Sequence, residues 1–272
     1  MKIEFKNIDK LTDNVAVGAI IDLSGVDFMD PWAVVWVCLK LVNNHGLEDK
    51  AVKLPVNNDL LCYLKRIHFG SFLSELGYAE ESGRLKNLIM PERENINVQE
   101  LVHCNYRDEF DGRLGRFIQM FGNFGLNSGD ATLAATLVGE LGNNSFDHNL
   151  GSWPTDISGN IIIAQNYPKL KKIQIVVGDP GVGFLGSMRP AFPELSSDLE
   201  AIEKGLSGFT GRIDERRGNG LRLIQEWTIK NFYGTLSIQS GTGLINVSAK
   251  GMKKTEVKPI LGTMAQLMIE YR

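Results

Sequence analysis

The 272 residues, 43% hydrophobic and 22% charged, suffice for one large or two ordinary domains with a buried core. A formal net charge of -3 supplies no general basic field, which argues against non-specific nucleic-acid binding and against adhesion to an acidic membrane. Cys38, Cys62 and Cys104 are odd in number, widely spaced and without a Cys-x-x-Cys pair, so they read as buried free thiols rather than as a disulfide framework or a zinc site.

In chain order, Met1 to Lys6 alternates charged and apolar residues and has no signal-peptide core. The run Val34 to Val42 is too short to span a membrane and carries Lys40, so a cytoplasmic location is expected. The mostly apolar run Val15 to Leu23 predicts a buried strand closed by Ser24-Gly25. Asp30 before Pro31 predicts a capped helix start, and the apolar run from Ala33 to Val42 continues it until Asn43-Asn44-His45-Gly46. Ala51 to Val56 predicts a second short strand, and Asn57-Asn58-Asp59 caps a helix from about Leu60 to Leu76. Strand, helix, strand, helix is the order of a small α/β module over residues 1–100. The polar stretch Leu85 to Glu100, with Pro91 and Glu92-Arg-Glu-Asn95, marks its end.

A second unit, 101–272, follows. Phe110 to Phe121 has the apolar spacing of a helix, and Ser128-Gly-Asp130 caps a further helix. In that helix Leu137, Val138, Leu141 and Phe146 form an apolar face, whereas Glu140, Asn144 and His148 recur every four residues and stack on one stripe. Such a stripe lines a site or simply faces water. Gly159 to Gln165 and Lys171 to Val177 predict a hairpin, the second strand running into Gly178-Asp-Pro-Gly-Val-Gly-Phe184. Ser187 to Arg217 reads as a long irregular connection rich in glycine, serine and charge, and Gly218-Asn-Gly-Leu221 opens another helical pattern. Thr235 to Gln239, Leu244 to Ser248 and Met264 to Ile269 predict the remaining strands, with Gly241-Thr-Gly243 as a tight turn.

Taken in order, Glu140-x-x-x-Asn144, Asp179-x-Gly181-x-Gly183 and Gly218-x-Gly220-Leu221 resemble the N, G1 and G2 boxes of the GHKL superfamily. That superfamily includes gyrase, the heat-shock chaperone ATPase, histidine kinases and the mismatch-repair ATPase, all built on a Bergerat-type ATP-binding fold. Leu261-Gly-Thr-Met-Ala-Gln-Leu-Met-Ile269 is similar to the last strand of that fold, where a Gly-Thr pair sits beside the adenine. The resemblance implies a two-layer α+β sandwich for 101–272 within a chain of the α/β class. Separately, Ile20 to Asp30 resembles the strand and loop of STAS domains, the anti-sigma-antagonist fold. That family commonly continues Asp-Ser with a phosphorylatable serine, but Pro31 and Trp32 follow Asp30 here. The departure removes the phosphoacceptor, so the STAS-like module is expected to dock a regulatory protein partner or a second copy of the chain.

The GHKL resemblance implies ATP and Mg²⁺ as ligands. Asp179 would accept the adenine exocyclic amine, Gly181 and Gly183 would let the backbone approach the base, and Thr263 would add a direct or water-mediated contact. Gly218, Asn219, Gly220 and Leu221, at a helix start, would bind phosphate oxygens. Asn144 would be an oxygen ligand for Mg²⁺, and Glu140, one turn earlier, the catalytic base or orienter. Arg212, Arg216 and Arg217 would belong to an ATP lid and either pair with the terminal phosphate or form a solvated face. His148 is either structural or part of the site.

The implied function is an ATP–Mg²⁺-binding regulatory protein similar to anti-sigma-factor and histidine-kinase-like ATPases, using ATP for slow hydrolysis or to phosphorylate a partner. The alternative is a non-catalytic module in which ATP orders the lid and gates partner binding. None of His45, His68 and His103 lies in the heptad-like dimerisation helix of a sensor kinase, and the transducer domain of gyrase-type enzymes is not expected within these 272 residues.

Overall fold

The computed structural model describes residues 1–8, 16–90, 97–98, 100–149, 153–211 and 218–271. Its centre is a mixed α/β body around an antiparallel sheet, five-stranded among the described residues, in the order β6-β7-β8-β10-β9. The strands are β6 (Val102–Cys104), β7 (Asn160–Tyr167), β8 (Lys172–Asp179), β9 (Thr235–Ser248) and β10 (Gly251–Glu270). β7 and β8 form the predicted hairpin, and β10 lies between β8 and β9, with Thr263 opposite Asp179 in the ladder.

Both faces of this sheet are buried, which is why its strands read as nearly unbroken apolar runs rather than alternating ones. Ile162, Ala164, Ile173, Ile175, Val177, Ala265, Leu267 and Ile269 face one core. Against them pack α5 (Arg107–Asp111), α6 (Leu114–Asn123), the long α7 (Ser128–Asn149), α9 (Asp198–Leu206) and α10 (Gly220–Lys230). The short α8 (Gly183–Met188) follows β8. On the opposite face, Ile161, Ile163, Val176 and Met264 join the core of the N-terminal segment.

What covers that second face is α1 (Pro31–Asn43), buried along its length except at Lys40 and Asn43. A helix apolar all round belongs between two layers, and α1 lies between the large sheet and the N-terminal strands. Those strands are β1 (Lys2–Ile3) parallel to β4 (Phe28–Met29), and β3 (Ile20–Asp22) antiparallel to β2 (Ala16–Val17) and parallel to β5 (Ala51–Lys53). The helices α2 (Asn58–Arg66), α3 (Phe69–Glu75) and α4 (Ala79–Asn87) complete the segment. Asp30 caps α1 as expected, accepting from Ala33 N at 2.9 Å, and also accepts from Phe5 N and from Gln174 Nε2 of β8. Gln174 in turn donates to Gln266 at 2.7 Å, so a buried polar chain joins the cap of α1 to the middle of the sheet. Further along β8, a Cβ at Gly178 would lie 2.5 Å from Val35 Cγ1, so the absence of a side chain there lets α1 rest on the strand.

Several expectations are corrected. The described part of the run from 15 to 23 is a hairpin, β2–β3, turning at Gly18, and not one strand. The helix expected from Leu60 to Leu76 breaks between α2 and α3 at His68, whose φ of 62° leaves the helical region. The helix expected over 110–121 breaks likewise between α5 and α6. α7 is capped by Asn127, whose Oδ1 accepts from Asp130 N at 2.9 Å, rather than by Ser128 to Asp130 themselves. Gly241-Thr-Gly243 is no turn. It lies inside β9, where the bare glycines let Asp198 and Leu199 at the start of α9 press on the strand. No helix of the described residues is long and apolar enough to cross a membrane.

Candidate functional site

Following the pleat of β8, Ile173, Ile175 and Val177 point to the α7 side, and Asp179 continues that row to the last residue of the strand. There it meets the final turn of α7. Asp179 is 8% exposed, and its Oδ1 accepts from Asn149 Nδ2 at 3.1 Å and from Gly181 N at 2.9 Å, with the Ser145 hydroxyl beside the same carboxyl. Burial pushes the carboxyl up to about 6 despite these three donors.

The loop after Asp179 is held by two side chains. Asn149 Oδ1 accepts from Val182 N at 2.8 Å, and Ser240 Oγ of β9 accepts from Phe184 N at 2.8 Å while donating to Gly262 O. These side chains occupy the room over the two glycines. A Cβ at Gly181 would lie 2.0 Å from Asn149 Oδ1, and one at Gly183 would lie 2.7 Å from Ser240 Oγ. The glycine spacing therefore admits protein clamps onto the loop.

His148, Asn149, Asp179, Gly183, Phe184, Leu221 and Thr263 line one cleft together with Ser187, Met188, Gly205 and Phe209. Segments far apart in the chain thus meet there. Glu140 is exposed one helical turn before Asn144, and a Cβ at Gly220 would lie 2.8 Å from its Oε2. The carboxylate accordingly rests against the first residue of α10, where the helix dipole and unpaired amides favour negative charge. Gly218 N donates to Gly208 O, pinning the turn before α10, and Asn219 ends that turn without a side-chain cap bond. Asn144 is half-buried, and its Nδ2 has no hydrogen-bond partner among the described residues. No group of three or more His, Cys, Asp or Glu suited to a metal occurs among those residues. Arg212, Arg216 and Arg217 lie outside the described residues.

The segment expected to be irregular, 187–217, contains the ordered helix α9. Ser197 caps it, accepting from Glu200 N, and Ala201, Ile202, Gly205 and Leu206 are buried. Asp198 ties it to β9 by accepting from Thr242 N at 3.0 Å.

No protein-family model matches the chain, and no curated protein matches its sequence.

Ser145, Asn149, Ser240, Phe184 and Phe209 are site residues that the box pattern alone does not mark. Ser145 and Asn149 did carry a signal. They repeat at the same four-residue spacing as Glu140, Asn144 and His148 but one position on, which turns them about 100° toward the sheet. Asn149, which at the end of a helix reads from the sequence as a side chain facing water, is 4% exposed.

Proposed function

We propose that the chain binds ATP with Mg²⁺ in this cleft and uses it to regulate a protein partner, by slow hydrolysis or by phosphoryl transfer. In this reading residues 101–272 form a Bergerat-type fold of the GHKL superfamily and residues 1–100 a STAS-like docking module. The observation that carries the reading is the convergence of Asp179, Gly183, Leu221, Thr263 and His148 on one cleft, with Glu140 touching the start of α10.

The residues present fit the ligands. Asp179 offers a buried acceptor to an exocyclic amine, and Phe184, Met188, Phe209 and Leu221 offer the flat, apolar walls that a purine needs. The first turn of α10 offers unpaired amides to phosphate oxygens. Asn144 buries its Nδ2 and leaves its Oδ1 as the open end of the amide, and one neutral oxygen together with phosphate oxygens is a usual setting for Mg²⁺. Bound there, the ion would offset charge on the phosphates. Glu140, exposed beside them, would accept a proton from the attacking hydroxyl or water, or orient it.

Nucleotide titrations and turnover measured on the same variants test this. Glu140→Ala is expected to keep ATP affinity and to lose turnover by about 10²–10⁴-fold. Asn144→Ala is expected to weaken Mg²⁺-dependent binding itself, because a ground-state ligand is lost. Native protein that binds ATP and GTP equally removes Asp179 from the adenine role. If Glu140→Ala binds and consumes ATP as the native protein does, the enzyme reading gives way to an ATP-gated interaction module.

A further inference from the structure

We propose that Asn149 determines the preference of this site for a 6-amino purine by holding the Asp179 carboxylate in one orientation, without itself touching the base. The inference rests on the ATP reading above and adds a residue outside the three boxes.

Asn149 is fully engaged. Its Nδ2 donates to Ser145 O at 2.6 Å and to Asp179 Oδ1 at 3.1 Å, and its Oδ1 accepts from Val182 N at 2.8 Å. The side chain is 4% exposed and fits only because residue 181 has no Cβ. It therefore cannot turn away without giving up three bonds. The carboxylate of an aspartate is a broad two-fold rotor on its own. Here Oδ1 takes both the Asn149 amide and Gly181 N, which fixes the carboxylate plane and leaves Oδ2 as the oxygen with acceptor capacity for a donor from the cleft. The Ser145 hydroxyl, a free rotor, can serve either oxygen.

An exocyclic amine is a donor and satisfies such an acceptor. A 6-oxo group is an acceptor and meets it lone pair to lone pair, so a rigidly oriented carboxylate rejects it. Without Asn149 only Gly181 N and the Ser145 hydroxyl hold the carboxyl, which can then turn more widely and, when protonated, offer an O–H to the oxo group. Discrimination at the 6-position thus depends on the amide behind the carboxylate.

ATP and inosine triphosphate, which differ only around that position, are the probes, titrated against native protein, Asn149→Ala and Asn149→Leu. The leucine variant keeps the branching and heavy-atom count of the side chain and drops its polar bonds. In both variants ATP affinity is expected to fall roughly ten- to a hundredfold, the scale of one hydrogen bond to a charged group, while the weaker inosine triphosphate affinity stays in place. The ratio of the two affinities therefore collapses. If either variant keeps the native ratio, even with a lower melting temperature or weaker binding overall, Asn149 is structural only and the inference is overturned. Native protein that binds neither nucleotide overturns the ATP reading itself and this inference with it, and that result is visible before any substitution is made.

Discussion

Burial, rather than the donors around it, decides the charge of Asp179. With its carboxyl pushed up to about 6, the folded chain holds a proton there over a range in which the unfolded chain, with an ordinary carboxyl near 4, has released it. The stability this residue contributes is thus fully present below about pH 4 and is lost as pH rises through about 6. Asp179→Asn removes the titration. Denaturant unfolding should find the variant more stable than native protein at pH 8, by about 2–3 kcal/mol, with the gap closing toward pH 4. Equal stabilities at pH 8 would show that the carboxyl carries no burial cost. The same substitution should weaken ATP binding by about 1.5–3 kcal/mol, since the charge-assisted acceptor is gone. ATP affinity of the native chain should also decline as pH falls through about 6. His148 faces the same cleft and would draw phosphates more strongly when protonated, so the titration is cleanest in a His148→Gln background.

Among the elements, α7 carries the site and depends on its fit to α5. The Phe110 ring lies over Gly142, where a Cβ would come within 2.2 Å of Cζ. Gly142→Ala should therefore destabilise by about 1–3 kcal/mol, as overpacked cores do, and Phe110→Leu in the same chain should recover part of that loss. Thermal unfolding of the single and double variants checks this, and strictly additive losses would mean that the ring and the glycine are not coupled. α7 is legible from its apolar face and four-residue stripe, as are the β7–β8 hairpin, the Asp30 cap of α1 and the cap of α2 by Asn57, whose Oδ1 accepts from Leu60 N at 3.0 Å, because those signals are local. α9 is hidden in the sequence although Ser197 and Glu200 stand at the spacing of a helix start, because the glycine, serine and charge around them dominate the composition of 187–217. The glycines of β9 suggest a turn to any local rule, and only the approach of Asp198 across the sheet explains them. Within its own helix Asn149 shows only its four-residue spacing from Ser145, to whose carbonyl it donates. Its other partners, Asp179 and Val182, are about thirty residues away.

At the scale of the whole molecule, the division near residue 100 falls where the large sheet begins, yet the core of the first part takes in residues of the second. Ile161, Ile163, Val176 and Met264 of the sheet share one buried cluster with Trp32, Val35 and Leu39 of α1. Calorimetry of the intact chain should accordingly show one cooperative transition, not two. Residues 101–272 expressed alone should associate through the uncovered face, which size-exclusion chromatography would detect, and a stable monomeric fragment would refute the shared core.

Val35 against Gly178 has a mechanical meaning. The residue after Gly178 is Asp179, so the back of the cleft is one strand thick, with no padding between it and the N-terminal half. A force that shifts α1 by a fraction of an ångström would arrive at the acid through a single peptide unit, and the two halves of the protein are, in that sense, next-door neighbours sharing a wall.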